Sequence, residues 1–363
     1  MTHRSRAGGP SRQKPKSNGS KNRPRKLHHP PSFTSKPPSS SSSSDDDPTE
    51  PSLSYFLTSP TDPIILELIH QALRSTVESL NFLPTVHKIK SLLYNRKWLE
   101  VFGDEALLQA YAGRWVLNRA LCFRELFASL VPVRALFTAI QEGGEDRPCP
   151  STTTNILSLG GGAGSELVAF ASLIHAAQSQ PNDATSVKRK DLDITWTGMD
   201  IAAWQPTLDL FAKALQTNWN LSLPIIYIRT DLLTPPHTDL LKNLATSQPK
   251  LITLLFTLTE LLTQSRSQTI SLLHHLTIHT KPGCLFLVAD SASDLSSFKI
   301  GDSGRKWPVW MVLDAILLRD GGDGWEKVKG EDSRWYRLPE GVGAGWKVKL
   351  ENTRYWFRLY RRS

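Results

Sequence analysis

Three alternating glycines, Gly160, Gly162 and Gly164, are the residues whose spacing says most about chemistry in this chain. They follow the apolar run Ile156-Leu157-Ser158-Leu159 and precede a helical pattern that begins at Ser165. A strand, a tight turn and a helix start are the order this implies. Glycine serves where the backbone takes a positive φ or where a ligand must come close to it, and Gly162 is expected to leave that space. The helix start beyond the turn offers unpaired N–H groups to a carboxylate or other anionic group. A dinucleotide fingerprint would place its third glycine at position 165, where Ser165 stands.

Four carboxylates recur at matching places: Asp200 ends the apolar run 194–199, Asp231 follows 224–228, Glu260 follows 251–256 and Asp290 ends 284–289. In an open parallel sheet, ligands bind beyond the carboxyl ends of the strands, so all four point to one site. Asp200 is placed to accept hydrogen bonds from both hydroxyls of a ribose, and Asp231 to meet an adenine amino group. Glu260 and Asp290 are expected at the substrate mouth, where a carboxylate accepts a proton or orients the reacting group. A cofactor contact or a helix-start contact is an equal alternative for Glu260.

The elements that must position these residues alternate between strand and helix from residue 155 onward, the pattern of an α/β fold. Strands are expected at 155–159, 194–199, 224–228, 251–256 and 284–289. Helices are expected at 165–178, around Leu208 to Leu215, at 264–279 and around Val309 to Ile316. Strand candidates at 335–338, 347–351 and 354–360 close the chain, the last two forming a hairpin about Asn352-Thr353. Tyr355, Phe357 and Leu359 are expected in the core. Residues 61–131 read as helical. Asp62 stands as N-cap before Pro63, and Ile65, Ile69, Leu73, Val77 and Leu80 share a face. Three further helices, a short one carrying Val86, Ile89 and Leu93, one at 104–112 ending at Gly113 and one at 118–130, precede a Gly- and Pro-bearing loop at 141–154. For Arg114, Trp115 and Arg119, packing between this helical region and the sheet is preferred over a role in closing the site. The domains expected are a tail at 1–55, a helical subdomain at 56–150 and an α/β domain at 151–363.

The formal net charge of +9 is uneven: residues 1–36 carry ten Lys/Arg and no Asp or Glu. That segment, the serine tract at 39–44 and Asp45-Asp46-Asp47 are poor in apolar residues, so a disordered basic tail is expected. Such a tail is attracted to polyanions, and Arg23-Pro24-Arg25-Lys26 resembles a nuclear-import signal. No secretory signal and no apolar run long enough for a membrane span are found. Cys122, Cys149 and Cys284 are far apart and lack C-x-x-C spacing, which argues against disulfides and against a zinc site.

The glycine spacing is the one used by class I S-adenosylmethionine (SAM) methyltransferases. The sheet region resembles that class. More narrowly, it is similar to the fungal family that methylates N3 of a uridine in large-subunit (25S) ribosomal RNA. The resemblance rests on LSLGGGAGSEL at 157–167, WTGMDIAAW at 196–204, LITLLFTLTELL at 251–262, CLFLVADS at 284–291, RWYRLP at 334–339 and KLENTRYWFRLYRR at 349–362, with AYAGRWVLNRALCFRELF at 110–127 extending it. It implies a Rossmann-like sheet, mostly parallel with an antiparallel C-terminal hairpin, and SAM contacts at Gly160, Gly162, Gly164, Asp200 and Asp231. It also implies ribosomal RNA or a pre-ribosomal particle as partner, a monomer in the nucleus or nucleolus, and no metal. One departure is Ser158, where the superfamily usually has a carboxylate, with Glu260 as a possible substitute. At 256–260 the chain has Phe-Thr-Leu-Thr-Glu in place of the Asn/Asp-Pro-Pro-Tyr of exocyclic-amine methylases, which suits an imide N–H. Tryptophans and arginines mix near the C-terminus, at 334–337 and 354–362, a composition that stacks bases and contacts phosphates or simply packs a core. A protein or small-molecule methyltransferase, an inactive assembly factor and a nicotinamide-dependent oxidoreductase are the alternatives.

Overall fold

A computed structural model describes residues 53–137, 153–179, 193–293, 297–299, 306–318 and 324–363. The expected tail up to residue 52, most of the 141–154 loop, the polar insertion after the first sheet helix and Cys149 lie outside the described residues. The described residues belong to one compact unit.

The chain enters through helices α1 (Leu53–Thr58), α2 (Asp62–Ala72), α3 (Arg74–Val77), α4 (Phe82–Tyr94), α5 (Trp98–Phe102), α6 (Glu105–Ser129) and α7 (Val131–Arg134). The α/β part then runs β1 (Thr154–Leu159), α8 (Ser165–Ser179), β2 (Ile194–Asp200), α9 (Gln205–Trp219), β3 (Ile225–Arg229), α10 (Thr238–Ser247), β4 (Leu251–Leu255), α11 (Leu258–Gln264), α12 (Arg266–His279) and β5 (Leu285–Ser291). It ends with a small ribbon, β6 (Ser297–Lys299) and β7 (Lys306–Pro308), then α13 (Val309–Leu317), β8 (Trp325–Tyr336) and β9 (Thr353–Arg362).

The main sheet has the order β3-β2-β1-β4-β5-β9-β8. Strands β1 to β5 pair in parallel, and β9 inserts antiparallel between β5 and β8. Chain direction along the sheet reverses between β1 and β4, which opens a crevice beyond their carboxyl ends. One apolar cluster joins α1–α9 to one face of the sheet, and a second joins α10–α13 to the other. The expected α/β class and mixed C-terminal end are therefore the observed ones.

The two helices expected at 104–112 and 118–130 are one helix, α6, which runs through Gly113. A Cβ at Gly113 would lie 3.0 Å from the Phe82 ring and 3.1 Å from Val77, so this glycine admits neighbouring helices instead of ending its own. Asp104 caps α6 by accepting from the Ala106 N–H at 3.1 Å, a contact that typically contributes about 1 kcal/mol. Phe127 of α6 lies flat on Phe170 of α8, with centroids 4.2 Å apart and both rings buried, so α6 is fixed against the sheet layer. Truncating either ring would cost about 3–5 kcal/mol.

Other expectations are corrected. Thr61, not Asp62, is the N-cap of α2, and Asp62 instead pairs with buried Arg124. Leu80 is 96% exposed, because α2 and α3 end before it and the face is not continued. Residues 347–351 form no strand: Val348 and Leu350 are buried, but the partner of β9 is the long strand β8. Asn352 accepts the Leu338 N–H at 2.9 Å and closes that connection, so it is a wide loop in place of a tight hairpin. In β9 both faces are buried from Tyr355 to Tyr360. Arg358, 3% exposed, is held between Asp332 and Asp314 and over Trp310.

Candidate active site

The crevice between β1 and β4 is a cleft walled by the carboxyl ends of the strands and by the helical layer. The turn after β1 supplies Gly160 and Ala163, and the end of β2 supplies Asp200, Ile201 and Trp204. Beyond β3 stand Asp231 and Leu232, and beyond β4 stand Phe256, Thr257, Glu260, Leu261 and Gln264. The helical layer closes the cleft with Phe102, Tyr111 and Arg119. Gly160, Asp200, Asp231 and Glu260 are thus brought together as expected from their strand-end positions.

The three alternating glycines of the turn have two physical reasons. Gly160 and Gly164 have φ of +74° and +89°, which other residues rarely adopt. A Cβ at Gly162 would come 2.1 Å from the Trp204 ring and 2.8 Å from the Asp200 Cβ. The space expected at Gly162 for a ligand is therefore taken by Trp204. The glycine lets the second strand's end close over the turn.

Asp200 receives the Gly162 N–H on Oδ2 and the Ala202 N–H on Oδ1, both at 3.1 Å. Burial pushes its pKa up against these bonds. Asp231 accepts the Leu233 N–H at 2.9 Å and the Thr234 hydroxyl at 2.8 Å, which fixes the turn after β3.

Asp290 does not face the mouth as expected. It is 4% exposed, and its two oxygens accept the Thr259 N–H at 2.8 Å and the Ser291 N–H at 2.7 Å. It ties the first turn of α11 to the end of β5, and so fixes the helix that carries Glu260. Among the described residues, the Glu260 carboxylate accepts from the Gln264 amide at 3.2 Å. Burial first, then the Asp200 charge, push its pKa up to about 8, while Arg119 pulls it down. A carboxylic acid held near neutrality can exchange a proton with a bound group.

Sequence reasoning missed a further raised carboxyl group. Glu166, one residue into α8, reaches back under the glycine turn to Ser158. The Ser158 hydroxyl donates to Glu166 Oε2 at 2.7 Å, and Thr253 bonds the same oxygen. The Trp196 indole N–H donates to Ser158 at 2.9 Å. Burial pushes the Glu166 carboxyl up to about 7. A carboxyl group from the helix therefore lies beside Ser158 but does not line the cleft, and a Ser in the strand with a Glu entering the helix was the available signal.

Arg119 packs between the helical layer and the sheet as expected, and it also lines the cleft. Its guanidinium donates to the Tyr111 hydroxyl at 2.8 Å and lies over the Phe256 ring at 5.4 Å. Arg114 keeps the packing role, bonding Glu351 at 2.7 Å with its carbon near the Trp115 ring. Phe256 itself has φ +57°, a conformation a bulky side chain adopts only when the surroundings impose it. Tyr111, Phe102 and Trp204 add an aromatic wall, with centroids 5.3 to 6.4 Å apart.

Three carboxylates and one guanidinium line this cleft, with aromatic faces between them. That donor set fits SAM: carboxylates for ribose, adenine amine and the cationic groups, a guanidinium for the carboxylate, rings for the base. Among the described residues no cluster could hold a metal ion, and no helix is long and apolar enough to cross a membrane.

Comparison with known proteins points to the same cofactor. The family described as "Putative SAM-dependent methyltransferase" matches residues 69–361. The chain is 29% identical over 296 residues to the 25S rRNA (uridine(2843)-N(3))-methyltransferase of Saccharomyces cerevisiae, covering 76% of each chain. Solved structures are more distant. Magnesium protoporphyrin IX methyltransferase from Synechocystis PCC 6803, with bound SAH, is 14% identical over 75% of this chain and 95% of its own, with a TM-score of 0.36. TehB from Haemophilus influenzae is 12% identical over 59% of each, with a TM-score of 0.33. With a match across most of its length and a cleft whose chemistry suits the cofactor, the chain belongs to the SAM-dependent methyltransferase family.

Proposed function

We propose that this methyltransferase acts on N3 of a uridine in large-subunit ribosomal RNA. The observation that carries the proposal is the raised, cleft-facing Glu260 in the segment where exocyclic-amine methylases place a different element. The yeast relative's substrate supports the same reading.

In this reading Gly160, Asp200 and Asp231 contact the cofactor, Gly162 and Gly164 shape the turn, and Arg119 receives the methionine carboxylate. When bound, SAM supplies an electrophilic methyl group on a sulfonium. Placing the uracil N3 in line with that methyl provides most of the acceleration. Glu260, ionised once a cation enters the cleft, would accept the N3 proton, freeing the nitrogen to take the methyl group while the sulfur leaves as a neutral thioether. Asp290 acts through α11 by fixing Glu260. Helices α5 and α6, part of the proposed 56–150 subdomain, cover the cofactor. The basic residues 1–36 add a sequence-independent attraction for RNA. A monomer working in the nucleus or nucleolus on a pre-ribosomal particle fits this set of partners.

Nucleoside analysis of large-subunit ribosomal RNA tests the proposal. Loss of N3-methyluridine in cells lacking the gene, restored by the wild type and not by Glu260→Gln, is expected. Unchanged N3-methyluridine without the gene would overturn it.

A further inference from the structure

The carboxyl-end rim of the sheet carries a second feature that the cleft does not use. Trp335, near the end of edge strand β8, is 49% exposed. Its partner across the ladder is Arg354, the second residue of β9. The guanidinium carbons of Arg337 and Arg354 lie 5.4 and 5.8 Å from the centroid of its ring. Both arginines are exposed, and neither pairs with a carboxylate among the described residues. Arg354 makes one side-chain bond, to the Ser333 hydroxyl at 2.9 Å. The preceding arginine differs: Arg334 turns inward to Glu125 and Ser129 of α6. A half-exposed indole beside two guanidiniums that no carboxylate among the described residues neutralises brings an aromatic ring and two phosphate ligands together.

Its place in the topology connects it to the cleft. Ser291, at the carboxyl end of β5, pairs with Tyr355, so Arg354 and Trp335 stand just past the end of the strand that carries Asp290. From β4, whose end lines the cleft, β8 is three strands away along the sheet, on the order of 14 Å. A polymer with one base in the cleft would bring a neighbouring segment to this corner. A small-molecule substrate would not reach it.

Resting on the RNA substrate proposed above, we infer that Trp335, Arg337 and Arg354 form a platform for single-stranded RNA. Trp335 stacks a base a few nucleotides from the target uridine, and the arginines contact the adjoining phosphates. The probe is a single-stranded RNA oligonucleotide with a central uridine, bound to the full chain and followed by fluorescence anisotropy. Trp335→Ala should weaken binding about 5- to 150-fold, the loss of one stacked base, and Trp335→Phe should retain most of the affinity. Arg337→Ala with Arg354→Ala should lower the slope of log K against log salt by about 1.4, the release expected for two single-strand phosphates. SAM affinity by calorimetry and the Tm should not move, since none of these residues lines the cleft or the core. Oligonucleotide affinity unchanged in Trp335→Ala, with methylation by the wild type intact, would overturn the platform and leave the proposed function standing. A wild type that neither binds nor methylates the RNA would sink the proposed function and the platform with it.

Discussion

Two carboxylates, Glu166 and Glu260, flank the same glycine turn, and both are pushed up by burial, yet they are built for different work. Glu166 lies beneath the turn, with one oxygen engaged by Ser158 and Thr253 and no face on the cleft. Glu260 lies above it, on the cleft wall, with a single amide partner. Similar acidity therefore does not mean similar function. What separates them is whether the surrounding protein already satisfies the oxygens. A satisfied acid holds structure together, whereas an unsatisfied one facing a cavity is free to trade a proton with a ligand.

The largest effect that could break this contrast is on rate. Glu260→Gln should bind SAM nearly normally, while methylation falls by roughly 10²–10⁴-fold. Glu166→Gln should keep its rate within a few fold in the folded protein. Single-turnover kinetics alongside calorimetry decides between them. A proportional loss of SAM affinity and rate in Glu260→Gln would make that residue a cofactor contact.

Stability should show the reverse ranking. Glu166 is pushed from the ordinary carboxyl range to about 7, so the folded state holds its proton more tightly than the unfolded chain. Its contribution is fully present below the unfolded pKa and is lost as pH rises through about 7. The cofactor-free wild type should lose on the order of 3 kcal/mol from this group between about pH 4.5 and 8. Glu166→Gln, which cannot ionise, should flatten that part of the pH dependence in chemical denaturation. An unaltered slope would show that Glu166 does not titrate in this window.

The pH–rate profile sharpens the other half. Glu260 must be ionised to accept a proton, so activity at low SAM should rise with pH, pass half its maximum near 8 and level above that in the wild type. Glu260→Gln should lack that plateau and keep rising as the uracil N3–H itself ionises. Superimposable profile shapes would remove the base assignment. The smallest expected effect is Ser158→Ala. It leaves the Trp196 indole N–H without its acceptor and removes one donor to Glu166, costing about 1–3 kcal/mol. A drop in the rate of the folded enzyme would mean that the lower carboxylate also serves catalysis.

Much of the site was legible in the sequence because sheet topology converts strand-end positions into neighbours. Gly160, Asp200, Asp231 and Glu260 are far apart along the chain and meet in one cleft because parallel strands all end on the same edge. Local contacts were less legible. Asp290 and Glu260 read alike as strand-end acids, and only the register of α11 shows that Asp290 is consumed by two backbone N–H groups. Glu166 reads as an ordinary first-turn acid until Ser158 and Thr253 are seen beneath it. Arg119, Tyr111 and Phe102 reach the cleft from a helical layer whose docking no spacing rule specifies, since it depends on contacts such as Phe127 on Phe170. Gly113 signalled a helix end and proved to be a packing glycine, because φ/ψ preference and close approach leave the same residue in the sequence.

The central claim is that Glu260 takes the proton from a uridine N3 beside a SAM methyl. Purified wild type and Glu260→Gln, each saturated with methyl-labelled SAM, should be mixed with large-subunit ribosomal RNA lacking the modification and the product digested to nucleosides. Label in N3-methyluridine with the wild type, and a rate at least roughly 10²-fold lower with the saturated variant, is the predicted result. Label in any other nucleoside, or equal rates for the two proteins, would contradict it.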